Sequence, residues 1–293
     1  MEKDRISTRR EFLTREFPGA LGAFSVLASG CDTQSEGRKE LLNKEVESLK
    51  QFFKNNYKCD VKARKFKPEE LITIQGTELS LSEEKEMLSF LKKEFIKYPP
   101  EYINRCNLKE LFILRALQRL GDEAQKTDTS GFTPTIGSLY IEAYSKLKNI
   151  NKLVPWHEGV KLALIFHHEL FHMADASDEI TRFFDEDDDP WIACNPEGIN
   201  AYDLNVRTKD FKNRPIGFME SYGLSAVRED QATVVQYVMV NLPRAYSMSR
   251  NDTVLNSKIE MCKNYFNTLS NGRMNEQYWH DLESGRVGEG YWK

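Results

Sequence analysis

His167-His168-Glu169-Leu170-Phe171-His172 closes a stretch, Val160 to Ala174, that is otherwise apolar nearly all round: Leu162, Ala163, Leu164, Ile165 and Phe166 lead into it. A segment apolar on every side predicts a buried helix. Residues four apart on a helix share a face, so His168 and His172 aim both imidazoles at one point. Glu169 stands one step round. There it can take a proton from a water that a zinc ion has already acidified. The chain has 5 His in 293 residues, and this run holds three of them within six positions. The alternative is a core helix that carries histidines by chance. Burial argues against it, because titratable side chains on such a helix are costly unless paired or metal-bound. His167 is rotated about 100° from His168 and is expected to pack or support rather than to join the same ion. His157, near the expected helix start, has no assigned role.

A catalytic zinc takes three protein ligands and leaves one position for water. Three candidates complete the set. Asp178, six residues after His172, stands where metzincins take their third ligand. That class needs Gly three residues after the second His, and Asp175 occupies that place. An Asp from the run Asp185-Glu186-Asp187-Asp188-Asp189 would follow the aspzincin pattern. The run reads most simply as a solvated loop and lacks the Gly and final Glu of a calcium loop. Glu229 lies on a second apolar segment, Ser225 to Met239, expected as a buried helix with Ser225 as its N-cap. Gluzincins take a Glu from a helix downstream of H-E-x-x-H. Glu229 and Asp230 stand together among apolar neighbours, where an unpaired charge is expensive. The competing reading is an acid favoured by the helix dipole.

His168-Glu169-Leu170-Phe171-His172-Met173-Ala174-Asp175 resembles the H-E-x-x-H-x-x-D helix of the anthrax lethal-factor-like gluzincins. Ser221-Tyr222-Gly223, with Tyr222 seven residues before Glu229, resembles their S-Y-G segment. The resemblance implies His168, His172 and Glu229 as ligands of Zn2+, Glu169 as general base, and Tyr222 as the hydroxyl that steadies the oxyanion. It covers about 70 residues, His168 to roughly Met239. The second glutamate of that family, four after the ligand, is Thr233 here. The chain also resembles lipoprotein-type bacterial zinc-binding metallopeptidases with a W-x-x-x-N-P-x-G segment, here Trp191 to Gly198. Asn195-Pro196 and Gly198 imply a fixed turn there, either walling the cleft or purely structural. The implied fold is α+β, a helix-rich zincin-like domain with a small β-sheet packed on the H-E-x-x-H helix. The implied activity is hydrolysis of peptide bonds, with a peptide or protein as substrate. The rival classes are a catalytically silent, zinc-containing binding or scaffold lipoprotein, and a surface lipoprotein without metal.

The rest of the chain fits one catalytic domain, 58–293. Ser82 to Lys97 reads as an amphipathic helix, with Met87, Phe90, Leu91 and Phe95 on one side and Pro99-Pro100 ending it. Val61 to Phe66 is a short strand candidate. Glu110 to Leu120 is ambiguous, and Gly131 to Tyr144 is expected as a strand. Further helices are expected over Val254 to Leu269 and Asn275 to Leu282. Residues 31–57 read as a stalk or an N-terminal helix. The net charge of −4 and the lack of a basic stripe argue against a nucleic-acid partner.

The first thirty residues carry Thr8-Arg9-Arg10-Glu11-Phe12-Leu13, a weakly apolar stretch from Phe17 to Ser29, then Leu27-Ala28-Ser29-Gly30-Cys31. The first element resembles a twin-arginine export signal and the last a bacterial lipobox. Residues 1–30 are therefore expected as a signal. Cys31 is expected to be lipidated and to hold the protein at the bacterial cell envelope. Export permits disulfides among Cys59, Cys106, Cys194 and Cys262, and their pairing stays open. None sits in a C-x-x-C pair, so a zinc ribbon is not expected.

Overall fold

The computed structural model describes residues 31–64, 74–120, 126–128, 131–135, 137–143, 158–177, 190–196, 202 and 214–293. The signal in 1–30, His157, Asp178, the 185–189 acidic run and Gly198 lie outside the described residues. The main compact unit runs from Glu40 to Lys293.

Helix α1 (Cys31–Tyr57) leads into β1 (Asp60–Lys62) and β2 (Ile74–Thr77). From Glu40 onward α1 belongs to the main unit, and Val46, Phe53 and Tyr57 bury themselves in the core. Helix α2 (Leu81–Phe95) opens on a capping box, Ser80 with Glu83, which satisfies two end donors at once. Helix α3 (Pro100–Arg105) follows, with Pro99 as its N-cap residue and Pro100 in its first turn, where a missing N–H costs nothing.

The ambiguous stretch is one long strand, β3 (Glu110–Leu120). Its first half pairs in parallel with β1 and with β6 (Ser138–Glu142). Its second half pairs antiparallel with β2 and with β4 (Lys126–Asp128). Leu111 and Ile113 face the main core, while Phe112 and Leu114 join Tyr140 and Leu117 on the other side. Both faces are covered, so the residues do not alternate in polarity, and that hid the strand. The single strand expected over Gly131 to Tyr144 is instead a hairpin, β5 (Gly131–Thr135) against β6. Gly137, at φ 104°, makes the turn that a residue with a Cβ resists. The result is an edge strand beside the H-E-x-x-H helix.

That helix is α4 (Glu158–Ser177), and it packs on β5, β6 and above all on α6 (Val227–Ser249). Helix α5 (Pro190–Ala193) is a short turn. A 3-10 turn, Ser221–Ser225, precedes α6. Ser225 is not the N-cap: Ala226 is, without a side-chain bond, because the Ser225 hydroxyl turns back onto the Tyr222 carbonyl at 2.7 Å. Helix α6 breaks at Asn241 (φ −155°, ψ 77°). The Asn241 side chain accepts the Arg244 N–H at 3.0 Å and so recaps the second part, with Pro243 in its first turn. Helices α7 (Thr253–Leu269) and α8 (Glu276–Glu283) are capped by Asp252 and Asn275.

Residues after α8 return to α2. Trp292 donates its indole N–H to the Ile96 carbonyl at 2.7 Å and stacks on Tyr278. The Tyr278 hydroxyl donates to the Lys97 carbonyl at 2.9 Å. Carbonyls at the C-terminal end of α2 thus find their donors far along the chain. Cys59, Cys106, Cys194 and Cys262 are all free thiols. No helix among the described residues is long and apolar enough to cross a membrane.

Candidate metal centre

His168 and His172 project from one face of α4, as their spacing requires, with their Nε2 atoms 3.1 Å apart. Glu229, in the first turn of α6, brings Oε2 to 2.9 Å from His168 Nε2 and Oε1 to 3.6 Å from His172 Nε2. The three ligand atoms lie within 4.8 Å of one another. Ligands about 2.0–2.2 Å from a tetrahedral zinc are about 3.3–3.6 Å from each other, so this donor set fits such an ion. The set is mixed, two imidazoles and one carboxylate, which is the donor chemistry of open zinc sites. Burial would raise the Glu229 carboxyl, but the bonds to His168 and His172 outweigh it and hold the group well below the usual carboxylate range. Burial would lower His172, and Glu229 raises it instead.

Glu169 is half-buried and lies within electrostatic reach of His172 and Tyr222. Strand β5 runs hard against it: a Cβ at Gly131 would stand 3.0 Å from Glu169 Cγ. The Tyr222 ring is 6.2 Å from the His168 ring, and its hydroxyl is bonded to Glu229. Burial, then the Glu229 charge, pushes that phenol well above its ordinary value, so it stays a donor at neutral pH. The structure therefore brings His168, His172, Glu229, Glu169 and Tyr222 to one place. Asp175, on the next turn of α4, pairs with Arg228 at 3.3 Å.

Buried polar residues pack around these side chains, and His167 packs as its rotation on α4 predicts. His167 is fully buried and bonds Tyr98 and Glu94, not the ligand set. Asp230, next to Glu229, is fully buried and receives Trp191 Nε1 at 2.7 Å, Tyr202 at 3.2 Å and Lys258 Nζ at 2.7 Å. Trp191 is thus an internal strut that ties its segment to α6. Lys258 also donates to the Gly217 carbonyl at 2.9 Å and lies 4.1 Å over the Phe218 ring. The one sequence signal for these partners was burial itself: a histidine or an aspartate on an apolar helix demands a counterpart. Thr233, where the similar family has a glutamate, spends its hydroxyl on the Glu229 and Asp230 carbonyls at 2.8 Å.

Glu229→Ala is expected to lose zinc by metal analysis of the purified protein, and Asp178→Ala to retain it. The opposite pattern would move the third ligand out of α6.

The mixed sheet, the buried H-E-x-x-H helix and the downstream helix α6 make an α+β, helix-rich, zincin-like fold. A crystal structure from Bacteroides caccae ATCC 43185, described as a "putative zinc-binding metallo-peptidase", shares that fold at a TM-score of 0.53. It is 13% identical, and the match covers 85% of this chain and 94% of that one. No family model and no curated protein matches the chain.

Proposed function

We propose that this chain is a zinc-dependent peptidase of the gluzincin type, with the lethal-factor-like arrangement of ligands. The observation that carries the reading is the convergence of His168, His172 and Glu229, from two helices sixty residues apart, within 4.8 Å. His168 Nε2, His172 Nε2 and the Glu229 carboxylate would hold the ion. When bound, zinc acidifies water and polarises a carbonyl. Glu169 takes the proton of the attacking water and returns it to the leaving amine. The Tyr222 hydroxyl donates to the oxygen that gains charge as the carbonyl carbon becomes tetrahedral. Gly131 in strand β5 leaves the Glu169 side chain its space, since a Cβ there would stand 3.0 Å from Glu169 Cγ. The fold of the crystallographic neighbour and its description as zinc-binding support the same reading.

We also propose that the chain is exported by its twin-arginine-type signal and anchored through a lipid on Cys31. Metabolic labelling with a radioactive fatty acid, lost in Cys31→Ser, checks that anchor.

The test of the peptidase reading is direct. The purified protein should carry about one zinc per chain. It should cleave members of a proteome-derived peptide library, stop on chelation and resume on adding zinc. Stoichiometric zinc without cleavage of any peptide would leave only a binding protein. Tyr222→Phe should keep the metal and lower kcat by about 10²-fold, the scale of losing one oxyanion donor.

A further inference from the structure

We propose that His167, Glu94 and Lys97 form a positioning relay that fixes the two ligand-bearing helices, α4 and α6, against each other. The proposal rests on the reading of His168, His172 and Glu229 as metal ligands.

The relay begins one residue from a ligand. His167 is fully buried, with the Tyr98 hydroxyl 2.7 Å from Nδ1 and Glu94 Oε2 2.8 Å from Nε2. Glu94 also receives the Lys97 ammonium at 2.6 Å. A carboxylate held by an ammonium is an acceptor only, so His167 donates through Nε2–H and Tyr98 donates to Nδ1. Both ring nitrogens are satisfied, and the ring cannot flip without losing both bonds.

Lys97 carries the connection onward. Its Nζ donates to the Met239 carbonyl in α6 at 3.1 Å. In an unbroken helix that carbonyl would accept the N–H of residue 243. Residue 243 is proline, which has no N–H, and α6 breaks at Asn241. Lys97 therefore supplies the donor that Pro243 withholds. A buried carbonyl without a donor is costly, so α6 has one preferred position along its axis relative to α2.

The chain of bonds is continuous: α4 through His167, α2 through Glu94, the turn after α2 through Lys97, and α6 through Met239. Helix α4 supplies His168 and His172; α6 supplies Glu229, ten residues or about 15 Å before Met239. Sliding or rolling either helix would open the 2.9 Å and 3.6 Å approaches of Glu229 to the imidazoles. None of these three residues is one of the candidate ligands. They act through the ligands.

The test measures zinc affinity by competition with a chelator, and the visible absorption of the cobalt(II)-substituted protein. Thermal unfolding of the metal-free forms is followed in parallel. His167→Phe and Lys97→Met should each weaken zinc by about tenfold or more, the usual loss when a group supporting a ligand is removed, and should change the cobalt band. The double variant should be no weaker than the worse single, because either cut severs the same chain. His167→Gln offers a donor and an acceptor in similar places and should stay close to wild type. Lys97 is partly exposed, so Lys97→Met serves if His167→Phe does not fold. Unchanged zinc affinity and cobalt band in a folded His167→Phe or Lys97→Met, with only a lowered melting temperature, would overturn the relay; so would losses that multiply in the double variant. Zinc binding without peptide cleavage would remove the peptidase reading and leave the relay standing. A wild type that binds neither zinc nor cobalt would remove both.

Discussion

Glu169→Gln is expected to lower peptide cleavage by about 10²–10⁴-fold while zinc stays bound, which is the range a positioned general base contributes. Glutamine keeps the size and the hydrogen-bonding reach of the side chain but has no basic oxygen. The ligand set is untouched, because His168, His172 and Glu229 meet without Glu169. Strand β5 leaves room for either side chain, since Gly131 has no Cβ to stand against the Cγ that glutamate and glutamine share. Metal analysis and turnover on a cleavable peptide read the two quantities separately. Full activity in Glu169→Gln would remove it as the base; loss of zinc would make it part of the metal's own support.

Lys258→Met should lower stability by about 3–5 kcal/mol, the loss found when one partner of a buried ion pair is removed. Asp230 and Lys258 are both fully buried, and their pair is 2.7 Å long. Without the ammonium, Asp230 keeps Trp191 and Tyr202 but carries a charge with no counterion, among groups that water does not reach. Burial already pushes the Asp230 carboxyl above its ordinary value, against the pull of Lys258, Trp191 and Tyr202. Urea unfolding of the metal-free protein measures the change. The double variant Asp230→Asn with Lys258→Met should recover most of it, because no lone charge remains. If the single variant loses less than about 1 kcal/mol, the pair is not a structural ion pair of this kind.

The helix carrying the motif was legible because its signal is local: a periodic apolar run with three histidines in it. Glu229 was legible as a charge where charges are expensive, and its spacing from Tyr222 matched a pattern. Glu94 was not legible. It sits in an amphipathic helix with Glu83, Glu84, Glu86, Lys92 and Lys93, and nothing in that series marks it as the one that turns toward His167. Its partner is 73 positions away, beyond the reach of any periodicity. Lys258 was hidden in the same way, as a lysine that looks solvated and is fully buried. Strand β3 failed for a different reason. Period two vanishes when both faces are covered, as Leu111 to Leu114 are. Ser225 misled because a serine hydroxyl can serve its own turn as readily as a helix end.

The return of Trp292 and Tyr278 to the end of α2 bears on the order in which the protein can be completed during synthesis. These bonds span 196 and 181 positions. A ribosome releases residues 278 to 292 after His168, His172 and Glu229 have already been made. Until then the carbonyls of Ile96 and Lys97 lack these donors, and α2, which backs α4, is not fully secured. A nascent chain can therefore display His168, His172 and Glu229 to the surrounding metal pool while the platform behind them is still loose. The closure that secures α2 is a contact of very long sequence separation, the kind that is slow to form.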